Sequence, residues 1–245
     1  MTPSPLISVL LLLVVGLAVY CYWYVRKFLT RIRRSREITE HTTPFSRPLT
    51  GAAMQVLFMG DSTAVGVGAS EGLHTTAGRF SAAYPEASIL NVGKSGSRLA
   101  DLASFPPPAL LNGQYDLIIA QIGANDILRL TPLASAEESL RQIIRQALKH
   151  TKKLVLLHGG NVGSADIIPW VFRGLFSRRT RAFRDLYTRV CTEEGAHYVD
   201  MYTSLKDFPS IRNGVSTYSK DSFHPSDEGY AIWFELIQEV LNMTA

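Results

Sequence analysis

From residue 55 onward, short apolar, β-branched runs alternate with longer amphipathic ones, and no hairpin signal joins two of the apolar runs. This alternation restricts the fold more than any other feature of the chain. Strands are expected at 55–59, 88–92, 116–122, 153–157 and 197–201, and helices at 75–84, 135–150, 177–194 and 226–243. The second of these helices places Leu140, Ile143, Ile144 and Ala147 on one face, the spacing of a helix packed against a sheet. The last begins after His224-Pro225 with Ser226 as its N-cap. Strand–helix alternation of this kind predicts a parallel sheet covered on both faces. In such folds the residues that handle ligands collect in the loops at the carboxyl ends of the strands.

Polar and glycine-rich motifs fall in those loops. Gly60-Asp61-Ser62 follows the first strand, and a glycine there lets the chain turn sharply and present Ser62. Gly93 and Gly96 bracket Lys94-Ser95 after the second strand, and Gly123-Ala124-Asn125-Asp126 follows the third. Asp221 and His224 sit in the loop before the final helix. A serine hydroxyl is unreactive at neutral pH until a base removes its proton, and His224 is a candidate base with its own orienting carboxylate, Asp221. Acyl transfer from an ester also creates an oxyanion that needs donors aimed at it. The backbone N–H groups of Ser62 and Gly96 and the side-chain amide of Asn125 are the candidates.

This constellation resembles the SGNH (GDSL) hydrolase family, in which serine, glycine, asparagine and histidine come from four sequence blocks. The blocks read here as GDS at 60–62, NVGKSGS at 91–97, GAND at 123–126 and DSFHP at 221–225, in the family's order. The resemblance covers about residues 55–243. It implies a flavodoxin-like, three-layer α/β/α sandwich with a five-stranded parallel sheet. It also implies that Ser62 is the nucleophile, His224 the base, Asp221 its orienting acid, and Ser62, Gly96 and Asn125 the oxyanion hole.

The neighbouring polar residues read as structural. Asp61, at a strand-to-helix turn, is expected to hold local backbone N–H groups. Asp126 is expected to stabilise its loop, and Gly93 to serve its turn. His158, after the fourth strand, reads as a hydrogen-bonded loop residue, with substrate contact as the sharper alternative. Cys191 reads as core. No cluster has metal-ligand spacing and no Walker-type glycine loop occurs, so neither metal nor cofactor is expected. Residues 158–176 carry Ile167, Ile168, Trp170, Val171, Phe172 and Phe176, and are expected to form either a self-packed loop or an apolar wall beside the acyl pocket. The run Arg178, Arg179, Arg181, Arg184 then opens the next helix, as a solvated face or a contact for anionic headgroups.

Upstream, residues 5–25 carry no charge, enough to span a bilayer core as a helix. Tyr20, Tyr22, Trp23 and Tyr24 crowd the end of the run, where amphipathic rings favour the membrane interface. Arg26, Lys27, Arg31, Arg33, Arg34 and Arg36 follow with no acidic residue among them. No basic segment precedes the apolar run and no small-residue cleavage site follows it, so an uncleaved anchor is expected rather than a signal peptide. The positive-inside rule then puts the domain on the cytoplasmic side. The expected organisation is an anchor with its basic flank at 1–36, a polar linker at 37–54 interrupted by Pro44 and Pro48, and one domain at 55–245.

The basic flank accounts for the chain's net charge of +4; without those six residues, 19 basic side chains face 21 acidic ones. A nucleic-acid binder would carry its positive charge on the folded domain, so no nucleic-acid partner is expected. With only Cys21 and Cys191 present, the domain contains no internal disulfide. The activity expected is that of a serine esterase acting on a lipid or lysophospholipid acyl ester. A carbohydrate O-acetyl ester is the alternative substrate, and a non-catalytic, membrane-tethered binding domain the alternative of a different class.

Overall fold

The expected strands form one parallel sheet in the computed structural model, which describes residues 5–204 and 216–243. They are β1 (Met54–Gly60), β2 (Ala87–Asn91), β3 (Leu117–Gln121), β4 (Leu154–Leu157) and β5 (His197–Tyr198), ordered β2-β1-β3-β4-β5. Strand order reverses between β1 and β3, which opens a crevice at their carboxyl ends. Alternation of side chains along each strand splits the core in two. Leu57, Met59, Ile118, Ala120, Leu154 and Leu156 face one side, and Val56, Phe58, Leu117, Ile119, Val155 and Leu157 face the other. Both sets are essentially fully buried, so the strands read as continuous apolar runs, as a sheet covered on both faces requires.

Helices complete the three layers. Leu133–Ala147 and Trp170–Glu194 pack on the first face, and Thr76–Ala83 and Asp227–Met243 on the second. The predicted face Leu140, Ile143, Ile144 and Ala147 is buried. Ser226 caps the last helix, its hydroxyl accepting from the Gly229 N–H at 3.3 Å. The fold is the α/β/α sandwich expected, and Cys191 is buried in its core.

Three elements differ from expectation. β5 ends at Tyr198 rather than at residue 201, because the Asp200 carboxylate accepts from the Tyr202 N–H (3.0 Å) and turns the chain into a short helix, Met201–Ser204. The helix expected from residue 177 begins already at Trp170, following Pro169, whose fixed φ suits a helix entry. Trp170 to Phe176 are therefore helical: Ile167 and Ile168 are buried beneath the helix start, whereas Trp170, Val171 and Phe172 project into solvent.

The N-terminal helix, Pro5–His41, is the third difference, since it runs through the basic flank into the segment read as a linker. Its apolar half is long and hydrophobic enough to cross a membrane, and Leu12, Leu13, Leu17 and their neighbours are more than half exposed. Its second half docks on the sandwich, with Phe28 and Ile32 against the core. Beyond it, the chain does not hang free. Arg47 pairs with Ile89 through two backbone hydrogen bonds (2.8 and 2.9 Å), and its guanidinium donates to the carbonyls of Tyr84, Pro85 and Ala87. The physical reason is that β2 is an edge strand whose unpaired backbone groups need a partner. Ser46, Arg47 and Leu49, within the segment read as a linker, thus bond to the sheet edge.

Candidate active site

Every loop at the carboxyl edge of β1 and β3 contributes to one cleft. β1 ends in Gly60, whose φ of +138° and position leave no room for a side chain: a Cβ there would lie 1.9 Å from the Gln121 carbonyl oxygen of β3. The chain turns at this point, and Asp61 caps a short helix, Ser62–Val65, by accepting from the Thr63 N–H (2.9 Å) and Thr63 hydroxyl (2.8 Å). This is the structural role expected of Asp61. Burial raises its pKa to about 6, against the lowering effect of those hydrogen bonds.

Ser62 opens that helix and meets the distant loop. His224 Nε2 lies 3.0 Å from Ser62 Oγ, and His224 Nδ1 lies 2.6 Å from Asp221 Oδ2. All three side chains are at most 9% exposed, so the contacts work in a medium that screens them weakly. The other oxygen of Asp221 accepts from the Phe223 and His224 N–H groups and the Ser219 hydroxyl, each at 2.8–2.9 Å. Burial alone would raise the Asp221 pKa; the hydrogen bond and charge of His224 and the two backbone donors outweigh it and hold the carboxyl well below its usual range. Asp221 is therefore a fixed anion that orients the imidazole with its Nδ1–H inward, leaving Nε2 to face the serine.

The second and third blocks close on the same point. Asn125 stands in the short helix Ala124–Leu128 and lines the cavity together with Ser62 and His224. Its Nδ2 donates to the Ser97 carbonyl at 3.0 Å, joining the two blocks, and an amide nitrogen has a second hydrogen to offer. Gly96, at φ +82°, stands on the wall of an adjacent cleft with Gly60, Ser97 and Arg129, rather than in the cavity shared by the other site residues. Gly93 approaches the Ser62–Val65 helix closely, where a Cβ would lie 2.9 Å from the Val65 nitrogen. Asn91 ties the two together: its Nδ2 donates to Ala64 O (2.7 Å), and its Oδ1 accepts from the Gly93 N–H (3.0 Å).

The remaining candidates are structural. Asp126 is fully buried and accepts from the Leu99 N–H at 2.9 Å, holding its loop as expected. His158 is enclosed rather than on the rim; its Nε2 lies 2.9 Å from the Tyr198 hydroxyl and its ring stacks on Tyr198 and meets Tyr187 edge-on. Burial depresses its pKa to about 4, so it is neutral. Arg179 donates to the Thr131 carbonyl, Arg181 to the Tyr202 hydroxyl and Arg184 to Asp200, so these three arginines serve the fold rather than a headgroup. Among the described residues no group of three metal-ligating side chains converges.

Two features of the cavity escaped sequence reasoning. Gly159, Gly160 and Asn161 wall it after β4, and the paired glycines at a strand end were the available signal. Trp233 closes it from the last helix, where an aromatic at helical spacing reads only as core. The cavity beside Ser62 measures about 60 Å³ and is lined largely by apolar groups, including Val162, Ala165 and Phe223. A polarised serine, a buried base and an amide donor on one small apolar cavity can accept an acyl carbonyl and stabilise its tetrahedral adduct.

Comparison with known proteins agrees with this chemistry. The sequence profile described as the GDSL-like Lipase/Acylhydrolase family matches residues 58–232. Among curated proteins, none matches the sequence. Among solved structures, a catalytic mutant of Axe2, an acetylxylan esterase from Geobacillus stearothermophilus, superposes with a TM-score of 0.60 at 20% identity, covering 78% of this chain and 94% of that one. TesA gives 0.61 at 19% identity, covering 76% and 97%. LAE5, an α/β hydrolase from the metagenome of Lake Arreo, Spain, gives 0.58 at 18% identity, covering 78% and 96%. At these identities the likeness is one of fold.

Proposed function

This chain belongs to the GDSL-like lipase/acylhydrolase family of ester-hydrolysing enzymes, and from that membership we propose that Ser62, His224 and Asp221 cleave an acyl ester through an acyl-enzyme. One observation carries the assignment: the continuous hydrogen-bonded line Ser62–His224–Asp221, at 3.0 and 2.6 Å, joining residues 162 positions apart. As Ser62 Oγ bonds to the carbonyl carbon, its proton passes to His224 Nε2, and Asp221 stabilises the resulting imidazolium. The carbonyl oxygen gains the charge and accepts from the Asn125 amide and the Ser62 N–H, which share its cavity; the Gly96 N–H, on the wall of the adjoining cleft, is the third donor this reading requires. Collapse breaks the carbon–alkoxy bond, and the alcohol leaves with the proton from His224. Water then gives a proton to His224 as its oxygen attacks the acyl carbon; Ser62 departs reprotonated and the free acid is released.

The substrate proposed is a lipid-type acyl ester, such as a lysophospholipid, met at the membrane. Its support is the N-terminal helix, read as an uncleaved anchor: Arg31 donates to the Asp166 carbonyl and Arg34 to the Lys220 carbonyl (3.4 Å), which holds the catalytic loop beside the membrane-crossing segment. A domain so held has a high effective concentration towards membrane-resident esters. A carbohydrate O-acetyl ester is the second reading. The small cavity suits a short acyl group, and Phe105, 82% exposed on the cleft that contains Gly96, offers a ring face to a sugar.

Labelling with a fluorophosphonate probe tests the nucleophile, and a p-nitrophenyl ester series of increasing chain length tests the substrate. Labelling that persists in Ser62→Ala would sink the triad. A sharp preference for acetate would favour the carbohydrate reading over the lipid one.

A further inference from the structure

We infer that the first turns of the helix Trp170–Glu194 dip into the membrane surface that the N-terminal helix crosses, so that the esterase site opens at the bilayer. The inference rests on the reading of that N-terminal helix as a retained membrane anchor. Trp170, Val171, Phe172 and Leu175 are 70%, 56%, 50% and 49% exposed, and form one apolar knob at the helix start. Large contiguous apolar patches on a soluble surface mark an interaction site. The knob is also held in place from beneath. Ile167 and Ile168 are buried under it, and a Cβ on Gly163 would lie 2.4 Å from the Arg173 carbonyl, so the backbone there is closely packed.

Its partner is indicated by what adjoins it. Asp166, just ahead of the knob, accepts from Arg173 (2.9 Å) through its carboxylate and from Arg31 of the N-terminal helix through its carbonyl. The next residue, Ile167, donates its N–H to the Ser222 carbonyl (3.1 Å) of the catalytic loop. Knob, anchor helix and catalytic loop therefore meet at one place. That place lies at interfacial depth, because Lys220 and Ser222 share a groove with Tyr20, Trp23 and Tyr24, the rings that favour the membrane interface. The groove also holds Arg26, Lys27, Arg31 and Arg34, which select an anionic surface. Tryptophan, phenylalanine and leucine on a helix beside such a belt are the side chains that partition into the headgroup–acyl boundary.

Geometry then gives the knob a purpose. Val162 and Ala165 line the cavity of Ser62, and the segment from Ala165 to Trp170 leads directly from that cavity to the knob. An acyl ester leaving the bilayer along this edge reaches the serine without crossing bulk water. The occupant of the knob is thus an anionic bilayer, with docking of a second copy of this chain as the competing outcome.

The test uses full-length protein in vesicles of phosphatidylcholine and phosphatidylglycerol. In Trp23→Phe, Trp170 is the exposed tryptophan and Trp233 is buried at 6%; adding Trp170→Tyr defines the Trp233 background. Lipids brominated near the headgroup should quench Trp170 several-fold more than acrylamide in the aqueous phase does. The variant Trp170→Ser/Phe172→Ser should hydrolyse p-nitrophenyl acetate at the parent rate, which verifies its fold. It should hydrolyse a long-chain p-nitrophenyl ester embedded in vesicles several-fold more slowly. Acrylamide quenching of Trp170 in protein that resists alkaline extraction from vesicles would overturn the inference and leave the anchor standing. Loss of the protein from vesicles would overturn both. Equal losses on both substrates, or a dimer that the serine variant dissolves with no lipid quenching, would also overturn it.

Discussion

Gly68 lies directly against His224: a Cβ at position 68 would come within 2.9 Å of the His224 Cβ and 2.4 Å of the Pro225 carbonyl oxygen. Its φ of +99° is also one that residues with side chains rarely adopt. The segment is pinned by Tyr230, whose buried hydroxyl donates to the Val67 carbonyl at 2.8 Å, so it does not move away to make room. Gly68→Ala should therefore push the imidazole off Ser62 and lower kcat about ten- to a hundredfold, roughly 1.4–2.8 kcal/mol of barrier. Steady-state kinetics with a soluble ester, alongside thermal unfolding, checks this; a folded Gly68→Ala with parental kcat would contradict it.

The triad should behave as a unit. Ser62→Ala and His224→Ala should each cost several orders of magnitude in kcat, and the double variant little more than either alone. Asp221→Asn keeps the shape of the loop but turns the imidazole to the wrong tautomer, for a loss of about ten-thousand-fold. Additive losses in the Ser62/His224 double variant would show that the two act separately.

Asn125 bonds to the Ser97 carbonyl and is proposed to donate to the oxyanion as well, which predicts a split result. Asn125→Ala should lower kcat by about a hundred- to a thousandfold through the lost oxyanion donor, with KM changed far less. Asn125→Asp keeps the size but puts an acceptor where a donor is needed, and should be no better than alanine. A variant whose KM alone rises would place Asn125 in ground-state binding.

Histidine 158 sets a pH dependence of stability. Its pKa is about 4 in the folded protein against 6.5 for an ordinary histidine, so between these values the unfolded chain binds a proton that the folded one does not. Its contribution is fully present above pH 6.5 and is lost as pH falls towards 4, at most about 3 kcal/mol. Asp61 acts oppositely: with its pKa raised to about 6, its contribution is present at low pH and lost as pH rises through that value. The two partly cancel in the parent protein, so the informative quantity is the difference from His158→Phe. Urea unfolding at several pH values between 4 and 7 should turn a nearly level parent profile into one that falls as pH rises towards 6, because in His158→Phe the Asp61 contribution is no longer offset; parallel curves would count against a neutral, buried His158.

The six basic residues between Arg26 and Arg36 predict a cytoplasmic domain. If they face the cytoplasm, protease added to intact cells should leave the domain whole, and protease added to inverted vesicles should cleave it. Digestion from outside intact cells would reverse the orientation. A mature protein beginning after residue 25 would replace the anchor with a cleaved leader.

Local chemistry made much of this protein readable in its sequence. Strand–helix alternation required a parallel sheet, because each apolar run needed cover on both faces, and the sheet formed as expected. Ser62, Asn125, Asp221 and His224 were identifiable because each stands where a strand or loop delivers its side chain to the carboxyl edge. Boundaries were less legible where a single contact fixed them. Asp200 ends β5 by bonding to the Tyr202 N–H, and the helix past Val25 continues because Phe28 and Ile32 find the core.

What the sequence determined by itself was therefore periodicity, turn chemistry and the types of residue at the strand ends, all of them properties of neighbours along the chain. Only the tertiary structure decided which of them meet. It brought His224 to 3.0 Å from Ser62, set Gly68 behind the imidazole, enclosed His158 between two tyrosines, and laid the N-terminal helix beside the loop that carries Lys220 and Ser222. Those relationships depend on packing between segments far apart in sequence, where shape and buried hydrogen bonds select one arrangement that no local pattern encodes.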